Sequence, residues 1–278
     1  MSPEEAFAVC EATVRRNDPD RYFASLFAPA GRRPLLFALY AFNHEIARAV
    51  EIVREPMMGE IRLQWWREAV EEAESERPRA QPVTIALSSL FARAALGNDL
   101  QDLINARGVE ISAAPYADLA ALESHAQATA GALMRITASL LDPVMDINEL
   151  AREAGTAYGL IGTLRALPYH AARAKTFLPA DLLAGEGLAP GDALSPRHVE
   201  GVRRVVSKIA DAARSRFEQA RRMSLPRRVL PAILPASLVP ASVAHVMRAS
   251  RDPLRDNSDV SLFRRQLILF RAATLGHL

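Results

Sequence analysis

No stretch of this 278-residue chain alternates apolar and polar residues with the two-residue period of a strand. Apolar residues recur instead at three- and four-residue spacing almost throughout, which confines the chain to helices. The pattern covers Ser2 to Arg16, Arg33 to Arg54, Met57 to Glu76, Val83 to Ala106, Tyr116 to Leu141, Ile147 to Arg173, His198 to Met223 and Ser261 to Ala273. Ser2, Pro3, Glu4 and Glu5 read as a capped start, with acids where the helix dipole is positive. Asn17-Asp18-Pro19 breaks that helix, and a second start falls at Asp18 to Asp20. Pro34 lies near the start of the third helix, Pro56 closes it, and Gly108 is a stop signal. Pro231, Pro235 and Pro240 punctuate the region before the last helix. Half of the chain is hydrophobic, enough for a sizeable core. No repeat, low-complexity tract or long linker divides it, so one all-α domain over 1–278 is expected.

Several chemistries are excluded by the same reading. Cys10 is alone, which excludes an internal disulfide, and it reads as a small buried residue. The net charge of +2 gives no argument for nucleic acid. Six histidines show no metal-ligand spacing with cysteine or aspartate, and no glycine loop follows a strand to cradle phosphate. Asp99 and Asp102 are a lone acidic pair on a helix edge. The N-terminus lacks the pattern of a secretory signal, and no apolar run reaches about 18 residues. The expectation is a cytoplasmic protein.

Three segments carry possible chemistry. The first is Tyr40 to Glu51, "YAFNHEIARAVE", a helix with Leu39, Phe42, Ile46, Val50 and Val53 on its apolar side and no aspartate. The second is Gly155 to Pro179. Gly155, Gly159, Gly162 and Ala166 fall at i, i+4, i+7 and i+11, a stripe of small residues on one helix face. Each interior glycine costs about 1 kcal/mol relative to alanine. Either another helix packs very close to the stripe, or the stripe walls a cavity. Pro168 is expected to interrupt this helix, with Arg165, Tyr169, His170 and Arg173 clustered around the break. The third is His198 to Arg228, with nine basic residues against Glu200, Asp211 and Glu218. Its Arg203–Arg228 stretch reads either as a solvated outer face or as a basic amphipathic helix for an anionic membrane or acidic partner.

Four stretches together resemble the squalene/phytoene synthase family over nearly the full length. They are "RYFASLFAPAGRRPLLFALYAF" (Arg21 to Phe42), "GEIRLQWWREAV" (Gly59 to Val70), "SHAQATAGALM" (Ser124 to Met134) and "LRALPYHAARAKTFLPADLL" (Leu164 to Leu183). The resemblance implies an all-α isoprenoid-synthase bundle around a deep central cavity. Family enzymes join two prenyl diphosphates head to head, with magnesium held by two aspartate clusters. The first cluster follows "YAF" as Asp-Asp-x-x-Asp, and here those positions are Ala47, Arg48 and Glu51. In the second, the usual Gln and Asn positions are Gly159 and Gly162, and the aspartates are Ala166 and His170. Only Arg165 persists. With nearly all ligands replaced, the resemblance implies no resident magnesium and no diphosphate ionisation. "AFNHEIA", "EIRLQWW" and "LRALPYHAARAKTFLP" are similar to a non-catalytic branch that supports assembly of respiratory complex I. That branch implies complex I subunits or other assembly proteins as partners, with peripheral contact at the inner membrane. Tyr22, Tyr40, Asn43, Arg165, Tyr169 and Arg173 are then expected around a cavity that accepts an isoprenoid or lipid. An active prenyltransferase with displaced ligands is the alternative, and a lipid or quinone carrier a third reading.

Overall fold

The computed structural model describes residues 1–278 except Arg54, Ala113 and Ser258. Among the described residues there is no strand. The helices are α1 Pro3–Asn17, α2 Pro19–Ser25, α3 Arg33–Glu51, α4 Pro56–Glu74, α5 Pro82–Phe91, α6 Gly97–Gly108 and α7 Leu119–Ala126. They continue as α8 Ala132–Leu141, α9 Asn148–Ala171, α10 Ala180–Ala184, α11 Val199–Arg221, α12 Leu230–Ile233, α13 Val239–Val246 and α14 Leu262–Leu275.

Local chemistry explains most boundaries. Ser2 caps α1 in a reciprocal capping box with Glu5, and Pro3 takes the first helical position. Asp18 closes α1 and caps α2, its carboxylate accepting from the Arg21 amide. Pro56 marks the end of α3 only indirectly, because it is the first residue of α4. α3 stops at Glu51, and Arg54, its expected end, lies outside the described residues. The helix expected over Val83 to Ala106 is two helices, with a break between Phe91 and Gly97. α6 begins at Gly97, against the exposed Glu74 side chain of α4, whose carboxylate a Cβ there would displace. Pro168 does not interrupt α9, which continues to Ala171. The proline removes the hydrogen bond to the Leu164 carbonyl, and the helix ends three residues beyond it. Pro231, Pro235 and Pro240 each sit in the first turn of a short helical segment, and the whole run 230–239 is buried.

Two apolar cores result. One gathers α1, α3, α4, α5 and α6 around Leu36, Phe42, Ile46 and Leu87. The other gathers α9, α11 and α13 around Leu160, Val205, Ile209 and Val243. Cys10 is buried in the first, and burial pushes its thiol up to about 12. α7 and α8 are joined by a wide π turn over Gln127–Gly131, which faces α9.

The glycine stripe on α9 resolves into both open alternatives. A Cβ on Gly155 would stand 2.9 Å from the Ala130 carbonyl carbon and closer still to the backbone of Gly131. One on Gly159 would stand 2.7 Å from Ala126 Cβ. At Gly162 nothing lies within 4 Å. The first two glycines let α9 press on the π turn, and the third opens onto a cavity.

α11 buries its apolar side against α9. Seven of its segment's nine basic residues have partners: Arg203 donates to the Arg248 and Ala249 carbonyls, and Arg204 and Lys208 pair with Glu186. Arg214 pairs with Asp211, Arg216 with Glu123 and Glu153, Arg221 with Glu218, and Arg228 with Asp142. Of the two readings, the solvated outer face fits this arrangement. The positive charges are mostly answered, and no large apolar side chain of α11 is exposed.

Candidate functional site

The α2 start, α3, the α6 end, α7 and α9 surround a cavity of about 360 Å³. Asn43, Gly159, Gly162, Arg165, Ala166 and His170 line it, together with Asp18, Asp20, Arg21, Arg107, Glu110, His125, Tyr158 and Arg265. A second chamber of about 180 Å³ shares Arg107, Glu110, His170 and Phe177 with the first, and holds Ala47, Glu51, Tyr169 and Arg173. The two segments singled out by their missing aspartates therefore face adjoining spaces.

Not every expected residue is there. Arg48 is exposed on the outer side of α3, in a groove with Ile52, Arg62, Trp65 and Trp66. It lines a different space from Ala47 and Glu51, about 100° round the helix from Ala47. Tyr22 stacks on Phe37 at 5.5 Å and its hydroxyl meets Glu11 at 3.4 Å, outside the cavity. Tyr40 is buried beneath Arg21, whose guanidinium lies 5.7 Å from its ring, and burial pushes its hydroxyl up to about 12. Asp20, Arg21, Arg107, Glu110, His125 and Arg265 were not expected, and they determine the cavity's electrostatics.

Each carboxylate of the main cavity is held by an arginine. Asp18 accepts from Arg21 at 2.6 Å. Asp20, only 4 % exposed, accepts from one Arg265 nitrogen at 2.8 and 2.9 Å and from Arg165 at 3.4 Å. Burial raises the Asp20 carboxyl, and the two arginines oppose that rise. Arg165 also donates to Asp259 at 2.5 Å, tying α9 to the segment before α14. Glu110 accepts from Arg107 at 2.7 Å and meets His125 at 3.0 Å. Burial alone would raise Glu110, but Arg107 and the His125 hydrogen bond overcome it and hold the carboxyl at about 2. In the second chamber the Tyr169 hydroxyl is raised by burial and by the adjacent Glu51, and the Arg173 guanidinium stacks 3.5 Å from the Tyr169 ring centre. Burial lowers His170, against the pull of Glu51 and Glu110, which favours the neutral imidazole at neutral pH.

Glu110 gives a pH prediction. Its folded value lies below the ordinary 4.5, so its stabilisation is complete above about pH 4.5 and is lost as pH falls toward about 2. Urea titrations across that window should show E110Q losing less stability on acidification than the parent. Parallel profiles for the two proteins would refute the ion pair.

The enzymes that the sequence resembles hold magnesium, and the donor set here does not fit it. Several divalent ions need many free carboxylate oxygens. Asp18, Asp20 and Glu110 are already neutralised by arginines, and Glu51 shares its chamber with Arg107, Arg173 and Lys175. Among the described residues no group of three or more His, Cys, Asp or Glu side chains is placed to hold a metal.

An all-helical bundle around a central cavity at the α3 and α9 faces is the isoprenoid-synthase architecture. The chain belongs to the squalene/phytoene synthase family, whose model matches residues 14–266. A squalene synthase from Alicyclobacillus acidocaldarius superposes with a TM-score of 0.75 at 21% identity, covering 88% of this chain and 94% of that one. A dehydrosqualene synthase crystallised with a ligand superposes with a TM-score of 0.73 at 19% identity over 98% and 97%. These identities show the shared fold alone. By sequence, the human "NADH dehydrogenase (ubiquinone) complex I, assembly factor 6" is 33% identical over 230 residues, 81% of this chain and 69% of that protein.

Proposed function

We propose that this chain is a non-catalytic member of its family that assists assembly of respiratory complex I, NADH:ubiquinone oxidoreductase, with residues 1–278 acting as one synthase-like domain. The carrying observation is the pairing of the cavity's carboxylates with Arg21, Arg265, Arg165 and Arg107, which leaves no anionic cradle for a metal-bound diphosphate. The likeness to curated complex I assembly factors supports the same reading. Ala47, Glu51, Gly159, Gly162, Ala166 and His170 then mark the positions where a synthase would carry its metal ligands. Arg48, on the outer face, belongs to that set by sequence position only.

The partners are complex I subunits or other assembly proteins, and the protein acts in the cytoplasm at the surface of the inner membrane. No nucleic acid and no resident cofactor enter this reading. An isoprenoid or lipid in the cavity needs a polar head, because the walls are charged. The buried Arg107 Nε, which has no acceptor among the described residues, is a donor available to such a head.

Deleting the gene from its host tests the role. Assembled complex I and NADH:ubiquinone activity should fall, and E51Q, which removes the one carboxylate left at the first motif, should restore them as well as the parent. Normal complex I in the deletion strain would contradict the proposal.

A further inference from the structure

α14 is apolar on two sides. Leu269 and Ala272 pack inward on Ala24, Leu230, Leu234 and Leu238. Arg265 also turns inward, to Asp20 and Asp259. These contacts fix the helix on the body of the protein, so its remaining face is held outward.

That outward face carries Phe263, Leu267 and Phe270 at i, i+4 and i+7, respectively 76%, 49% and 55% exposed. Phe27, from the loop between α2 and α3, extends the patch, its ring 6.4 Å from that of Phe270. Three outward phenylalanines and a leucine on one contiguous surface mark an interaction site.

The charges beside the patch choose the occupant. Arg264 and Arg271 are exposed, seven residues apart, and form a parallel stripe one position along the helix. α14 contains no acidic residue, and neither does the stretch 21–44 that supplies Phe27. Asp20 and Asp259, the acids that meet α14, are both tied to arginines. An apolar aromatic face bordered by one sign of charge is the pattern of a helix lying in the interface of a bilayer with anionic lipids. No helix among the described residues is long and apolar enough to cross a membrane, so attachment here would be peripheral.

We infer that the Phe263–Leu267–Phe270 face of α14, with Phe27, is the surface by which the protein docks on an anionic lipid bilayer. It replaces the basic α11 segment, whose charges are mostly paired and which exposes no large apolar residue, as the membrane contact. The inference deepens the peripheral placement above, and the two are tested apart: vesicles report lipid binding alone, and the deletion strain reports complex I assembly alone.

The full chain should float with vesicles containing phosphatidylglycerol or cardiolipin, and not with pure phosphatidylcholine. Binding should weaken as salt rises. F263S and F270S should each reduce partitioning about tenfold, with unchanged helical circular dichroism, and R264Q/R271Q should remove the preference for anionic lipid. R214Q/R221Q, on the exposed side of α11, should leave partitioning unchanged. In a second measurement that keeps the face nearly intact, F263W should be quenched by brominated lipid beyond the parent's own tryptophans. Failure of the parent to bind anionic vesicles, or full binding by a folded F263S/F270S, overturns the inference. A dimer that dissolves on F263S, without lipid binding, overturns it in favour of a second copy.

Discussion

Alanine at Gly155 should destabilise this protein by about 3 kcal/mol or more, a large fraction of the roughly 5–15 kcal/mol that holds a domain together. The added methyl group would overlap the backbone of Gly131 and stand 2.9 Å from the Ala130 carbonyl carbon. Those atoms belong to the π turn and cannot rotate aside as a flexible side chain would. α9 would have to retreat, and both the core around Leu160 and the cavity wall would move with it. Alanine at Gly162, only seven residues along, should have the opposite sign. Nothing lies within 4 Å of its added methyl, so the helix gains about 0.5–1 kcal/mol from reduced backbone freedom in the unfolded chain. Urea midpoints of the two variants decide the matter. Equal midpoints for G155A and the parent would mean that α9 is not pressed on the π turn.

Arg265→Met should be nearly as damaging, by about 3–5 kcal/mol less whatever Arg165 recovers, because it strands a buried carboxylate. Asp20 is 4 % exposed and takes two contacts from Arg265, at 2.8 and 2.9 Å, against one of 3.4 Å from Arg165. The double variant D20N/R265M removes both charges and should recover much of the loss. A double-mutant cycle on unfolding free energy should give a coupling above about 1 kcal/mol. Additive single effects would show that the pair contributes no specific interaction.

The helical plan was legible in the sequence because periodicity, caps and prolines are local signals. Ser2, Pro3 and Glu5 define the start of α1 within four residues, and Asn17-Asp18-Pro19 defines its end. The errors arose where tertiary contacts override local pattern. The break between Phe91 and Gly97 falls inside a continuous apolar periodicity, and Gly97 then meets Glu74 of α4, a contact that periodicity does not encode. Pro168, a breaker by local rule, is accommodated in the last turn of α9.

The site was half legible. Ala47, Glu51, Gly162, Ala166 and His170 were placed on adjoining cavities by their positions along two helices. Arg165 and Arg173 were expected there too, but Arg107 and Arg265 were not, because ion pairs such as Asp20 with Arg265, 245 residues apart, leave no trace in local spacing. Arg21 begins the first family-like stretch, but its alignment between Tyr40 and Tyr158, at 5.7 and 5.1 Å from their rings, emerges only when α2, α3 and α9 converge.

The proposed non-catalytic role rests on a synthase fold whose main-cavity carboxylates, Asp18, Asp20 and Glu110, are each held by an arginine, with Glu51 left among Arg107, Arg173 and Lys175 in the second chamber. Its most direct test is release of inorganic diphosphate from farnesyl or geranylgeranyl diphosphate by the purified chain with excess magnesium. Release should be no faster than in protein-free buffer, for the parent and for E51Q alike. Turnover at an ordinary enzymatic rate, about 1 per second or faster, would contradict it.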